Sequence, residues 1–179
     1  GGDDPAPPTT GTVRLTNNTT HPIDEVYLSL STDPNWGPAR NGSPIPVSGV
    51  FSVANLSPGT WDGAAVIIDP DSPYGAFAMG FPVVAGATFD FVVTNSDFSG
   101  SLRVTNGATS PIAELYVVPA GSPWGANLLG SSIPLSSSML IYFMPAESYD
   151  VRCVHADLTS NTAYGVPVVP LAITVQACP

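Results

Sequence analysis

Two carboxylates stand at i and i+2 in Asp69-Pro70-Asp71-Ser72-Pro73. That spacing presents oxygens to a hard cation such as calcium. No glutamate follows at the distance an EF-hand loop requires, and Asp with Pro is also ordinary turn chemistry. Asp69 and Asp71 are therefore candidate metal ligands whose competing reading, a plain turn, suits the sequence better. The two histidines offer less. His21 stands beside Pro22 in a turn, and His155 falls within an apolar strand pattern. Neither has a serine, cysteine or carboxylate placed to complete a nucleophilic triad. No GxSxG elbow, HExxH helix, P-loop or dinucleotide fingerprint is present. The expectation is a chain that is not an enzyme and needs no cofactor, with a hydrolase as the weakest alternative.

Two further pairs carry chemistry of other kinds. Trp36-Gly37 and Trp124-Gly125 each sit in a long loop, 32–43 and 120–132. Such a tryptophan either caps the open end of a β-sandwich, its indole N–H bonded to backbone, or stands out as a platform for a sugar or an apolar side chain. Apolar neighbours (Leu128, Leu129, Ile133) favour the cap, most of all for Trp124. Trp36 and Trp124 are the candidate ligand-binding residues if the platform reading holds. Cys153 and Cys178 are the only cysteines. With no CxxC partner and two histidines in the chain they do not make a zinc site. An even count in an exported chain predicts a disulfide tying an interior strand to the C-terminal residues. Asn17, Asn18, Asn41 and Asn55 head short sequons, a pattern common by chance.

The elements that must position these residues come from one unit written twice. Residues 12–28, TVRLTNNTTHPIDEVYL, recur as SLRVTNGATSPIAELYV at 101–117, with eight of 17 positions identical. Trp36-Gly37 then matches Trp124-Gly125, Ile45-Pro46 matches Ile133-Pro134, and Trp61-Asp62 matches Tyr149-Asp150. Asp69 matches Asp157, and Gly80-Phe81-Pro82 matches Gly165-Val166-Pro167. Each copy alternates apolar and polar residues in about six short runs separated by Gly, Pro, Asn and Ser, which is the pattern of half-buried strands. The fold class predicted is all-β: two tandem immunoglobulin-like β-sandwich repeats related by internal duplication. Residues 1–10, GGDDPAPPTT, read as a flexible Pro-rich leader. Repeat 1 is assigned to 11–96 and repeat 2 to 97–179. A turn at 17–22 resembles a hairpin, which would set Arg14 opposite Glu25, and Arg103 opposite Glu114, as register-fixing charge pairs.

Composition narrows the partners. Fourteen acids face four Lys plus Arg, all of them arginine, for a net charge of −10. Without a basic patch to neutralise phosphates, nucleic acid is not an expected partner, and anionic lipid is disfavoured for the same reason. No apolar run approaches the ~18–20 residues of a membrane-spanning helix, so contact with a membrane is expected only through a lipid anchor upstream of Gly1.

The shared pattern, LTN-x-T…I-x-x-VYL…WG in repeat 1 and VTN-x-A…I-x-x-LYV…WG in repeat 2, followed by a Trp/Tyr-Asp strand, resembles a loose set of secreted bacterial proteins. That set includes tandem-repeat lipoproteins built on small β-sandwiches. The resemblance implies an extracytoplasmic location (periplasm, outer-membrane lipoprotein or secreted) and no established catalysis. Repeat 1 departs from it where WGPARNG replaces WGANLLG. The function expected is a non-catalytic envelope or secreted binding or structural module, its partner a protein or glycan. A carbohydrate- or calcium-dependent adhesive module is the alternative.

Overall fold

The alternation in the sequence becomes twelve strands in the computed structural model, which describes residues 6–179. The first unit holds β1 (Gly11–Asn18), β2 (Glu25–Leu30), β3 (Val50–Leu56), β4 (Gly59–Ile68), β5 (Pro73–Val83) and β6 (Thr88–Thr94). The second holds β7 (Gly100–Asn106), β8 (Ile112–Pro119), β9 (Ser138–Met144), β10 (Ser148–His155), β11 (Ser160–Pro167) and β12 (Ile173–Cys178). A single 3-10 turn, Asn95–Asp97, ends the first unit. The chain divides into two compact units between Asp97 and Phe98.

Each unit packs two three-stranded sheets face to face, in the same order. The first has β3-β1-β6 against β2-β4-β5, and the second β9-β7-β12 against β8-β10-β11. In both, the central strand of one sheet runs antiparallel to the third strand and parallel to the sixth. The chain is thus a pair of tandem β-sandwiches with one topology. Val13, Leu15, Phe91 and Val93 from one sheet, with Val26, Leu28, Ala65 and Ile67 from the other, are nearly or fully buried and form the first core. Leu102 and Val104 face Leu115, Val151 and Cys153 in the second. Trp61 and Tyr149, at matching places, are buried with their polar atoms satisfied. Trp61 Nε1–H donates to Ser57 O at 3.0 Å and the Tyr149 hydroxyl to Pro145 O at 3.1 Å. Burial, followed by the nearby Glu147 carboxylate, pushes the Tyr149 phenol up to about 12.

The hairpin reading of residues 17–22 is corrected. β1 and β2 lie in different sheets, so Arg14 does not face Glu25 and Arg103 does not face Glu114. Alternation told which face of each strand is buried but not which strand is its partner. Two strands whose apolar faces meet across a core carry the same pattern as two paired side by side. Arg14 instead stands beside Asp90 of the parallel neighbour β6, its Nε donating to Oδ1 at 2.7 Å. Both side chains are about half exposed, and such surface pairs contribute little. The place opposite Arg103 on β12 is held by Val175. Glu25 and Glu114 accept hydrogen bonds from Tyr27 and Tyr116 of their own strands.

What carries the chain between sheets is one asparagine in each unit. Asn17 is fully buried at the end of β1. Its Nδ2 donates to the carbonyls of His21, Ile45 and Pro46, and its Oδ1 accepts from the N–H and hydroxyl of Thr19. Asn106 repeats this toward Ser110, Ile133 and Pro134, with Ala108 N–H as donor. The paired Ile-Pro motifs are explained by the same knot, since Ile23 bridges Ile45 and Ile112 bridges Ile133. Cys153 and Cys178 are bridged, with Cα atoms 6.3 Å apart, joining β10 of one sheet to the end of β12 in the other. Of the leader, residues 1–5 lie outside the described residues. Thr10 O accepts from Gly86 N–H at 2.9 Å, which ties the end of the leader to the β5–β6 turn.

Candidate functional site

The loops that follow β2 and β8 do not fold over an open end. They run along the free edge of their strand and bond to it. In the first unit Arg40 N–H donates to Val26 O at 2.7 Å, Val26 N–H to Asn41 Oδ1 at 2.7 Å, and Arg40 Nη2 to Leu28 O at 3.0 Å. In the second, Leu128 N–H donates to Leu115 O at 2.8 Å and Leu115 N–H to Asn127 Oδ1 at 2.9 Å. The WGPARNG loop thus keeps its place by polar bonds where WGANLLG adds an apolar anchor, Leu129, packed on the core.

This course puts each tryptophan on the outward face of the β2-β4-β5 or β8-β10-β11 sheet, and the capping expectation is corrected accordingly. Trp36 is half-buried against Phe77 of β5, ring centres 6.4 Å apart. Trp124 is 37% exposed and meets Tyr116 of β8 edge-on at 6.5 Å. Leu128, read as something for Trp124 to pack under, is itself 44% exposed.

The two surroundings differ in chemistry. Trp36 stands between two shallow recesses that share Ser29, Asp33 and Asn35. Leu28, Leu30, Gly37, Arg40 and Trp61 complete one, and Pro34, Asp62 and Met79 the other. Asp33 Oδ1 accepts from Asn35 N–H at 2.9 Å. Asp62 Oδ1 accepts from the Ser31 hydroxyl and from Gly80 N–H, both at 2.7 Å. These two bonds, Ser31 first, hold its carboxyl below its ordinary 3.8. The matching Asp150 is buried, with Oδ2 bonded to Gly121 N–H and Oδ1 to Gly165 N–H, both at 2.9 Å. In each unit this aspartate lies at a bulge in the pairing and fastens the loop after the second strand to a left-handed glycine, Gly80 (φ 67°) or Gly165 (φ 64°), in the fifth. A Cβ is disfavoured at such a φ. Around Trp124 the polar set is absent, because Gly121-Ser122-Pro123 replaces Asp33-Pro34-Asn35 and Leu128 takes the place of Arg40.

The other candidate residues lie in separate places. Asp69 and Asp71 are exposed between β4 and β5, and Asp69 Oδ1 closes a turn by accepting from Asp71 N–H at 2.9 Å. Asp157 does the same for Thr159, which holds its carboxyl low. Among the described residues no group of three or more His, Cys, Asp or Glu gathers as metal ligands would. His21 is exposed, with Nδ1 3.0 Å from the Thr20 hydroxyl. His155 is buried, with Nδ1 3.2 Å from Ser110 O and Nε2 without a partner. Of the sequons, Asn17 is inaccessible and the Asn41 amide donates to Asp24 O and Ser43 O. The structural duties of Asn17 and Asp62 were not read from the sequence, though both recur in the second copy and that recurrence was the available signal. Asp33 and Asn35 carried none, being common turn residues beside a proline.

No family model matches the sequence, and no curated protein matches it. Among solved structures, the chain is similar to the Bacillus anthracis TIE protein, at 11% identity over 95% of this chain with a TM-score of 0.34. It is also similar to a Streptococcal ancillary pilin, at 12% identity over 95% with a TM-score of 0.29. A fimbrial protein from Bacteroides ovatus matches at 7% identity over 95% with a TM-score of 0.31. The chain spans 34%, 62% and 48% of those proteins respectively. At such TM-scores the likeness carries no argument about binding or activity.

Proposed function

We propose that this chain is a non-catalytic module that works outside the cytoplasm, at the cell envelope or secreted, by binding a protein or glycan. One observation carries the reading. The polar side chains common to both units, Asn17 with Asn106 and Asp62 with Asp150, are engaged in fastening loops to strands. The polar groups around Trp36 and Trp124 on the outward sheet face, by contrast, differ between the units. A scaffold kept constant under a varied surface is the arrangement of a binding module. The Cys153–Cys178 bridge supports an oxidising compartment. The acidic chain, with no excess of cationic side chains, suits neither nucleic acid nor a bare anionic bilayer.

The test incubates the oxidised chain with isolated cell-envelope fractions and with cytosol, then measures retention and searches the supernatant for low-mass products. Selective, saturable retention on envelope material without product release is expected. Product release abolished by changing a polar side chain would overturn the non-catalytic reading, and equal retention on cytosol would overturn the location.

A further inference from the structure

Resting on that binding reading, we propose that the Trp36 recesses of the first unit are a site for neutral saccharides, and that the second unit has no equivalent. A pyranose offers an apolar C–H face and a rim of adjacent hydroxyls. Its receptor needs an aromatic surface beside planar polar side chains, an amide to donate and accept and carboxylates to accept. Trp36 supplies the first, half-buried and steadied against Phe77. Asn35, Asp33 and Asp62 supply the second. Among the described residues the Asn35 amide and the Trp36 indole N–H have no hydrogen-bond partner. Asp33 and Asp62 each engage one carboxylate oxygen in local bonds and leave Oδ2 turned to neither. Arg40, held by its Nη2 on Leu28 O, lines the adjoining recess.

Charge selects among sugars. Two carboxylates against one guanidinium, on a chain of net −10, repel sialylated or sulfated glycans and leave neutral ones as the matching class. In the second unit, glycine and proline stand where Asp33 and Asn35 do, Leu128 stands for Arg40, and Asp150 has both oxygens bonded to backbone. Trp124 there keeps an aromatic surface without the groups that would read hydroxyls.

The test applies the full chain to immobilised neutral, N-acetylated and sialylated oligosaccharides and follows the strongest neutral binder by titration calorimetry. Trp36→Ala and Asn35→Ala are each expected to weaken binding at least tenfold, and Trp124→Ala to leave it unchanged. Since the Asn35 side chain holds nothing in place, its variant keeps its melting temperature and separates a lost contact from a lost fold. Retention of no saccharide at millimolar concentration, preference for sialylated chains, or indifference to Asn35→Ala and Trp36→Ala would overturn the site. Retention on envelope protein stripped of glycans would also overturn it, while leaving the binding module standing. Cleavage of the bound sugar would instead overturn the non-catalytic reading.

Discussion

Asn17→Ala is the sharpest perturbation of the scaffold. The side chain is fully buried and makes five hydrogen bonds, three donated and two accepted. Alanine removes all of them, leaves the buried Thr19 N–H without an acceptor, and takes from Ile45 O and Pro46 O one donor each, their bonds from Ile23 and Gly49 remaining. At about 1 kcal/mol net per bond, with several partners still desolvated, the loss is about 3–4 kcal/mol. For a unit of this size each kcal/mol moves the midpoint by about 4–8 °C, so the first unit melts roughly 12–32 °C lower. Trp36 and Trp61 report on that unit and Trp124 on the other, so fluorescence of single-tryptophan variants resolves which one unfolds. Asn17→Asp keeps the acceptor, removes both donors and buries a charge, so it is expected to be at least as damaging. Asn106→Ala moves the effect to the second unit. A melting temperature for Asn17→Ala within about 3 °C of the parent would refute the view that this residue holds the crossover between sheets.

Further outcomes follow from the second unit. Replacing Cys153 and Cys178 together by Ala lowers its stability by about 3 kcal/mol, as expected for opening a loop of 25 residues. An unchanged urea midpoint would contradict this. His155→Ile, which installs the residue type of Ile67, removes an unpartnered buried nitrogen. Ser110 O keeps its bond from Asn106. Stability is expected to hold or rise by about 1 kcal/mol, and a fall of that size in calorimetry would count against it. Tyr149, with its phenol raised to about 12, favours the folded state fully below the ordinary tyrosine value near 10. That contribution is lost as pH climbs from there through about 12. Ultraviolet titration should show Tyr149→Phe removing one late-ionising phenol, and an unchanged high-pH limb would refute the assignment.

Strands such as β1 were legible because they alternate against a core on one side, while β5, β9 and β11 alternate poorly and were placed by the turn residues around them. The duplication was legible because near-copies stood 89 positions apart. Partner choice was not. Asn17 and Pro22 look like hairpin punctuation, and only the bonds from Asn17 to Ile45 and Pro46 reveal that the chain crosses between layers. The tryptophan loops misled for a related reason. Leu128 and Leu129 are neighbours of one type in sequence, yet one is exposed and the other packs on the core. The Trp36 surroundings are assembled from β2, β4, β5 and a loop, so no contiguous motif announces them.

The parallel pairing of first and last strands also sets an order of events. Thr12 meets Thr88, and Ser101 meets Ile173. The middle strands β1 and β7 therefore cannot gain their second neighbour until the far end of their unit has been synthesised. Contacts of such long sequence span form slowly. Until then β1 and β7 carry a bare edge, open to pairing with other chains. In the second unit Cys178 closes the sixth strand, Ile173–Cys178. Native oxidation must therefore wait until that strand has been made, and it seals a sandwich whose strands are all present instead of guiding one into shape.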